Sequence, residues 1–165
     1  MKKILKAALS AIVLMSAMQT VSAQTRVPVT FVSGSTDVAK EGAAMVCDGH
    51  LYTKWCIDQR RQMPYSVVLD AGSPVALTAY GLCTGDDAHS YPDRNPLDWR
   101  VSGSNDKSSW TVIDLQKYNR SISAENEQEF RFPLKDAGAY RYYRLEFLRM
   151  MDGTRFQLSE INLYK

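Results

Sequence analysis

The sequence predicts an all-β domain folded as an antiparallel sandwich of about eight short strands. Three observations carry that prediction. Tyr143, Leu145 and Phe147 alternate with Arg144 and Glu146, the period of a strand with one buried face. The same alternation continues in Leu158, Ile161 and Leu163, with a β-bulge expected at Ser159 and Glu160. Turn residues punctuate the chain at short intervals, and helical periodicity nowhere persists.

Each element follows in order. Residues 27–32 open as a short strand ended by Gly34, and residues 37–50 form an irregular connection with one helical turn expected over 38–41. Residues 65–70 are a strand between Pro64 and the Gly72-Ser73-Pro74 turn. Strands over 77–83 and 99–102 flank a polar loop far longer than a hairpin needs, so recognition is its expected task. Residues 110–115 alternate with Trp110, Val112 and Asp114 on one face, and strands over 129–132, 142–148 and 156–164 complete the set. Trp55, Trp99 and Trp110 each sit at a strand end and are all expected in the core. No repeat or linker interrupts the run, so residues 24–165 read as one domain.

Residues 1–23 read as a secretory signal: Lys2, Lys3 and Lys6, a short apolar stretch, then Val21-Ser22-Ala23. Cleavage is expected between Ala23 and Gln24, placing the protein in the periplasm, at the cell surface or outside the cell. Three of the 20 basic residues leave with this segment, so 17 face 18 acids and the apparent basic balance disappears. No dense basic stripe with interleaved aromatics remains, which excludes a nucleic-acid footprint; Arg60-Arg61 and Arg141/Arg144 read as solvated positions. Cys47, Cys56 and Cys83 are an odd set for an exported chain. Buried free thiols and a Cys47–Cys56 bridge both stay open, whereas the spacing fits no zinc site.

Seven landmarks occur in a fixed order: Asp48-Gly49 with Thr53-Lys54-Trp55; Leu69-Asp70-Ala71-Gly72; the polar loop after Thr84; Trp99-x-Val101-x-Gly103-Ser104-Asn105-Asp106; Trp110; Tyr142-Tyr143-Arg144-Leu145; and Ser159-Glu160-Ile161-x-Leu163. Together they resemble the discoidin, or coagulation factor 5/8 type C, domain. The resemblance implies a jelly-roll, galactose-binding-like sandwich that recognises sugars or membrane surfaces through loops at one end. It also implies a non-catalytic module, and no nucleophile elbow, acid–base pair or metal-hydrolase motif argues otherwise.

Two groups of residues are candidates. Asp48 offers a carboxylate, Gly49 a tight bend and Thr53 a hydroxyl five residues on, all hard oxygen chemistry suited to calcium. The resemblance adds Glu160 as a third ligand, with carbonyls near Met45, His50 and Ser159 completing the shell. The alternative has Asp48 capping a turn and Glu160 paired with a base such as Lys54. For the ligand, Asp86, Asp87, His89, Tyr91, Arg94 and Asn95 place the mixed donors, acceptors and aromatic surface that sugars require within one loop. Phe156 is the expected stacking ring. Asp93 and Arg94 also suit an internal brace.

The galactose pattern within the resemblance is broken, because Cys56 stands where a histidine is expected and the arginine position falls near Gly85 or Asp86. The partner is expected to be a glycan or glycoconjugate, with a separate carbohydrate-active enzyme or surface protein as a working companion. An adhesion role through membrane lipid or protein is the alternative, with Met150-Met151 and Tyr118 as its apolar tips.

Overall fold

The computed structural model describes residues 24–36, 38–58, 62–151 and 153–165. The segment read as a secretory signal, with the export it implies, lies outside the described residues, and so do Arg60 and Arg61.

Among the described residues there are eleven strands: β1 (Arg26–Val27), β2 (Thr30–Gly34), β3 (Trp55–Asp58), β4 (Tyr65–Ala76), β5 (Ala79–Cys83), β6 (Pro96–Ser104), β7 (Thr111–Gln116), β8 (Glu129–Pro133), β9 (Ala139–Met150), β10 (Arg155–Leu158) and β11 (Ile161–Tyr164). They form a five-stranded sheet ordered β2-β4-β9-β6-β7, a four-stranded sheet ordered β1-β11-β5-β8, and a two-stranded ribbon of β3 with β10. Every pairing is antiparallel. The fold is the expected β-sandwich.

Alternation builds the core. Tyr143, Leu145 and Phe147 of β9 lie fully buried against Val67 and Leu69 of β4 and Trp99 and Val101 of β6. From the other layer come Tyr80 and Leu82 of β5 and Ile161 and Leu163 of β11. Trp99 donates its indole N–H to the Tyr80 hydroxyl at 2.8 Å, and that hydroxyl donates to Asp114, so the polar tips in this core are paired.

Several expectations shift. The run over 27–32 splits at Pro28, which has no N–H to give a ladder: β1 pairs with β11, while β2 pairs with β4 in the other sheet. The helical element is a 3-10 turn at Ala43–Cys47 rather than at 38–41. β3 has no sequence signal because Trp55, Cys56 and Ile57 are buried in succession. In place of the expected bulge at Ser159 and Glu160, the chain leaves the ribbon and enters the four-stranded sheet, tied by bonds from the Ser159 amide to the Cys83 carbonyl and from the Cys83 amide to that of Glu160. Trp110 is not core: it is half-exposed, donates to the Lys107 carbonyl and carries the Arg144 guanidinium 4.4 Å from its ring. All three cysteines are free, so the Cys47–Cys56 bridge is not formed.

Candidate ligand-binding face

The loop between β5 and β6, residues 84–95, is knitted to two neighbours at one end of the sandwich. The Thr84 amide donates to the Gln128 carbonyl and the Gln128 amide returns to the Thr84 hydroxyl, both at 3.0 Å. The His89 amide reaches Asn126 Oδ1 at 2.7 Å, and the Asn95 side-chain amide reaches the Ser123 carbonyl at 3.0 Å. On its other flank the Gly153 amide donates to the Asp93 carbonyl and the Met151 amide to that of Asn95. A loop bonded on both sides presents its side chains in a preset arrangement.

Beneath it lies a charged brace. Lys54 Nζ bridges Asp86 Oδ1 at 2.9 Å and Asp87 Oδ2 at 2.8 Å. Arg94 Nη1 lies 3.5 Å from the same Asp87 oxygen and donates to Gln157 Oε1 at 3.2 Å. Burial raises the Asp87 pKa, but the hydrogen bond and charge of Lys54 outweigh it and hold the carboxyl below its usual range. Burial likewise opposes the Lys54 ammonium, and its two carboxylates more than compensate.

Above the brace stand the exposed groups. Tyr91 is 44% exposed, with the Arg94 guanidinium 3.5 Å from its ring centroid on one face. His89 is exposed beside it in sequence. Tyr52, 67% exposed, stacks on His50 at 5.1 Å and lines a groove of ≈ 380 Å³ with Lys40, Thr53, Lys54 and Asp86.

Ion pairs through Lys54 and the Arg94–Tyr91 contact join Asp86, Asp87, Tyr91 and Arg94, His89 is exposed on the same loop, and two other expectations are corrected. Phe156 is 0% exposed and packs among Trp55, Tyr65 and Phe147, because its β10 position points into the core; it cannot stack on a ligand. Asn95 is buried and braces the loop through Ser123. Arg94 acts within the loop as well, as its alternative reading holds. Sequence reasoning missed Tyr52 and Gln157 as members of this end. Gln157 sits between two core residues of β10 and carries no sequence signal. Tyr52, next to the Thr53-Lys54-Trp55 landmark, could have been found as an aromatic outside any alternating run.

The second candidate group also assembles. The Thr53 hydroxyl lies 3.0 and 2.8 Å from the two Asp48 carboxylate oxygens and 2.9 Å from the His50 carbonyl, while the His50 amide donates to Asp48 Oδ1. Glu160 is buried, accepts from the Gly49 amide at 2.8 Å and pairs with Arg26 at 2.9 Å. Glu160 thus does not pair with Lys54. Burial raises its pKa, and contact with Asp48 adds to the rise against the Gly49 amide and Arg26. The Met45 carbonyl accepts the Asp48 amide, and the Ser159 hydroxyl bonds the Thr84 carbonyl. The Asp48 carboxylate, the Thr53 hydroxyl and the His50 carbonyl gather within hydrogen-bond distance, oxygen donors of the kind a hard cation takes. Among the described residues no group of three or more His, Cys, Asp or Glu side chains is placed to hold a metal, so such a site would lean on backbone oxygens.

No family model matches the chain. A peptide-N(4)-(N-acetyl-β-glucosaminyl)asparagine amidase of Arabidopsis thaliana is 35% identical over 94 residues, 54% of this chain, and the chain spans 12% of that protein's length. Solved structures match far more of it. A CBM32 module from Clostridium perfringens in complex with GalNAc-β-1,3-galactose superposes with a TM-score of 0.67 at 18% identity, covering 86% of this chain and 100% of that one. A family 32 carbohydrate-binding module from C. perfringens NanJ in complex with galactose gives 0.66 at 14%, covering 86% and 99%. A putative chitobiase fragment from Bacteroides thetaiotaomicron gives 0.69 at 17%, covering 90% and 95%. The chain therefore has the discoidin-like, galactose-binding-like β-sandwich fold that family 32 carbohydrate-binding modules share.

Proposed function

We propose that the protein is an exported, non-catalytic module that binds a glycan through residues 84–95 and the groove beside Tyr52. The observation that carries this reading is a loop bonded at both flanks that exposes Tyr91 and His89 and is tied through Asp86 and Asp87 to Lys54, which with Tyr52 lines the neighbouring groove. An aromatic face takes the C–H patch of a sugar, while planar donors and acceptors take its hydroxyls. Neighbours of the same fold caught with galactose and GalNAc-β-1,3-galactose support a sugar as the ligand. Their occurrence beside chitobiase and glycoside hydrolase sequences supports a role next to glycan-degrading enzymes. Membrane docking loses its most apolar tip, since Met150 is buried.

Asp48, Thr53 and Glu160, with the Met45, His50 and Ser159 carbonyls, would hold a calcium ion. When bound it would neutralise the two carboxylates and fix the 48–54 loop, which carries Tyr52 into the groove.

A glycan array probed with calcium and again with a chelator tests the reading. Discrete hits that fade on Tyr91→Ala or His89→Ala are expected. Blank arrays from folded protein in both conditions would reject a glycan ligand.

A further inference from the structure

Glu160 is the most deeply buried acidic residue among those described. It stands at the step from β10 to β11, where its backbone carbonyl accepts from the Cys83 amide and fixes the chain in the four-stranded sheet. A carboxylate so far from water needs a counter-charge and donors for its oxygens. This chain supplies both. Arg26 Nη2 donates to Oε2 at 2.9 Å, and the Gly49 amide donates to Oε1 at 2.8 Å. Each oxygen of the proposed calcium ligand is thus already engaged, one of them by a cation of the protein itself.

The two partners of that ion pair differ in freedom. Strand pairing holds the Arg26 backbone, with Arg26 opposite Tyr164, Val27 opposite Leu163, and reciprocal bonds between Thr25 and Lys165 just beyond. Val27 is buried, so β1 keeps its place whatever the Arg26 side chain does. That side chain is 51% exposed, whereas the Glu160 side chain is 3% exposed. The guanidinium can therefore leave for water and the carboxylate cannot follow. Asp48 is satisfied in the same way by protein groups, the Thr53 hydroxyl and the His50 amide.

A divalent ion sharing Glu160 would stand beside the guanidinium on one carboxylate, like charge against like where water screens poorly. We infer that Arg26 is a tethered counter-ion that competes with calcium for Glu160. It holds this corner together without metal and makes the ion bind weakly. The inference rests on the calcium reading above. An ion pair closed about nine-tenths of the time cuts the apparent affinity about tenfold. The loop that carries Tyr52 then stays formed when calcium is scarce, and calcium adds to it in the range of about 0.1–1 mM that extracellular modules use.

Calorimetric titration with calcium chloride, and thermal melts in calcium and in chelator, test this on the parent, Arg26→Gln and Arg131→Gln. Arg131 pairs with Glu129 and stacks on Tyr164, so its loss removes the same charge without touching Glu160. Arg26→Gln alone should bind calcium about tenfold more tightly. It should also melt below the parent in chelator, with the gap closing in saturating calcium, where the parent's Arg26 is already displaced. In the parent, the Arg26 side-chain NMR signals should move as calcium saturates. Equal affinities in parent and Arg26→Gln, a melting gap that calcium does not close, or fixed Arg26 signals would overturn the competition and leave the calcium site standing. Equal tightening in Arg131→Gln would assign the effect to net charge and overturn it too. Neither heat nor a calcium-dependent melt in any of the three proteins would reject the calcium reading itself, and the inference with it.

Discussion

Phe156→Ala separates a core ring from a ligand platform. Phe156 has no exposed surface, and its ring centroid lies 4.7 Å from Phe147, 5.0 Å from Trp55 and 5.7 Å from Tyr65. Truncation removes three aromatic contacts and leaves a cavity walled by rings that cannot collapse far. Such changes cost about 3–5 kcal/mol, a large share of the roughly 5–15 kcal/mol that holds a domain together. With a urea slope of about 2 kcal/mol/M, the unfolding midpoint should fall by roughly 2 M. Below that midpoint the folded variant should bind glycan as the parent does. Tyr91→Ala should do the reverse, losing binding while moving stability by about 0.5 kcal/mol or less. An unchanged midpoint with lost binding in Phe156→Ala would refute the reasoning, because the ring would then serve the ligand.

Asp48→Ala should abolish a calcium-dependent rise in Tm, which at a hundredfold excess over Kd amounts to about 2.7 kcal/mol, or roughly 10 °C; a rise that persists in the variant would remove Asp48 from the site. Burial raises the Asp98 pKa, yet the Arg149 hydrogen bond and the Tyr118 amide win and hold it below the usual range. The folded pKa lies below the unfolded one, so its stabilisation is full above about pH 4 and is lost as pH falls through the folded value. Asp98→Asn should therefore lower Tm at pH 7, and the gap to the parent should close in acid; a constant gap would show that ionisation is irrelevant. Tyr80→Phe should cost about 1–3 kcal/mol in urea unfolding, because Trp99 Nε1 and Asp114 both lose a buried partner, and a loss under about 0.5 kcal/mol would mean another group takes them up.

Much of the fold was legible because alternation is a local property. Tyr143, Leu145 and Phe147 declare their buried face within five residues, and the sandwich follows from repeating that pattern. What stayed hidden depended on partners distant in sequence. β3 is buried on both faces, so Trp55-Cys56-Ile57 shows no period of two, and its existence rests on β10, a hundred residues away. Phe156 was misread for the same reason: an aromatic near a strand end says nothing of which layer it enters. The 84–95 loop was visible as a long polar excursion. Its division into outward Tyr91 and inward Asn95 required the neighbouring loop that bonds Asn95. Arg26 as the cation beside Glu160 spans 134 positions, and no spacing rule reaches that far.

Residues 155–164 reach both candidate surfaces: Gln157 holds the arginine brace under the 84–95 loop, and Glu160 accepts from the Gly49 amide beside Asp48. During synthesis these ten residues leave the ribosome after every other described strand. Until they emerge, β3 and β1 have no partner and β5 has only β8. Each candidate surface thus stays incomplete in the nascent protein until this segment docks.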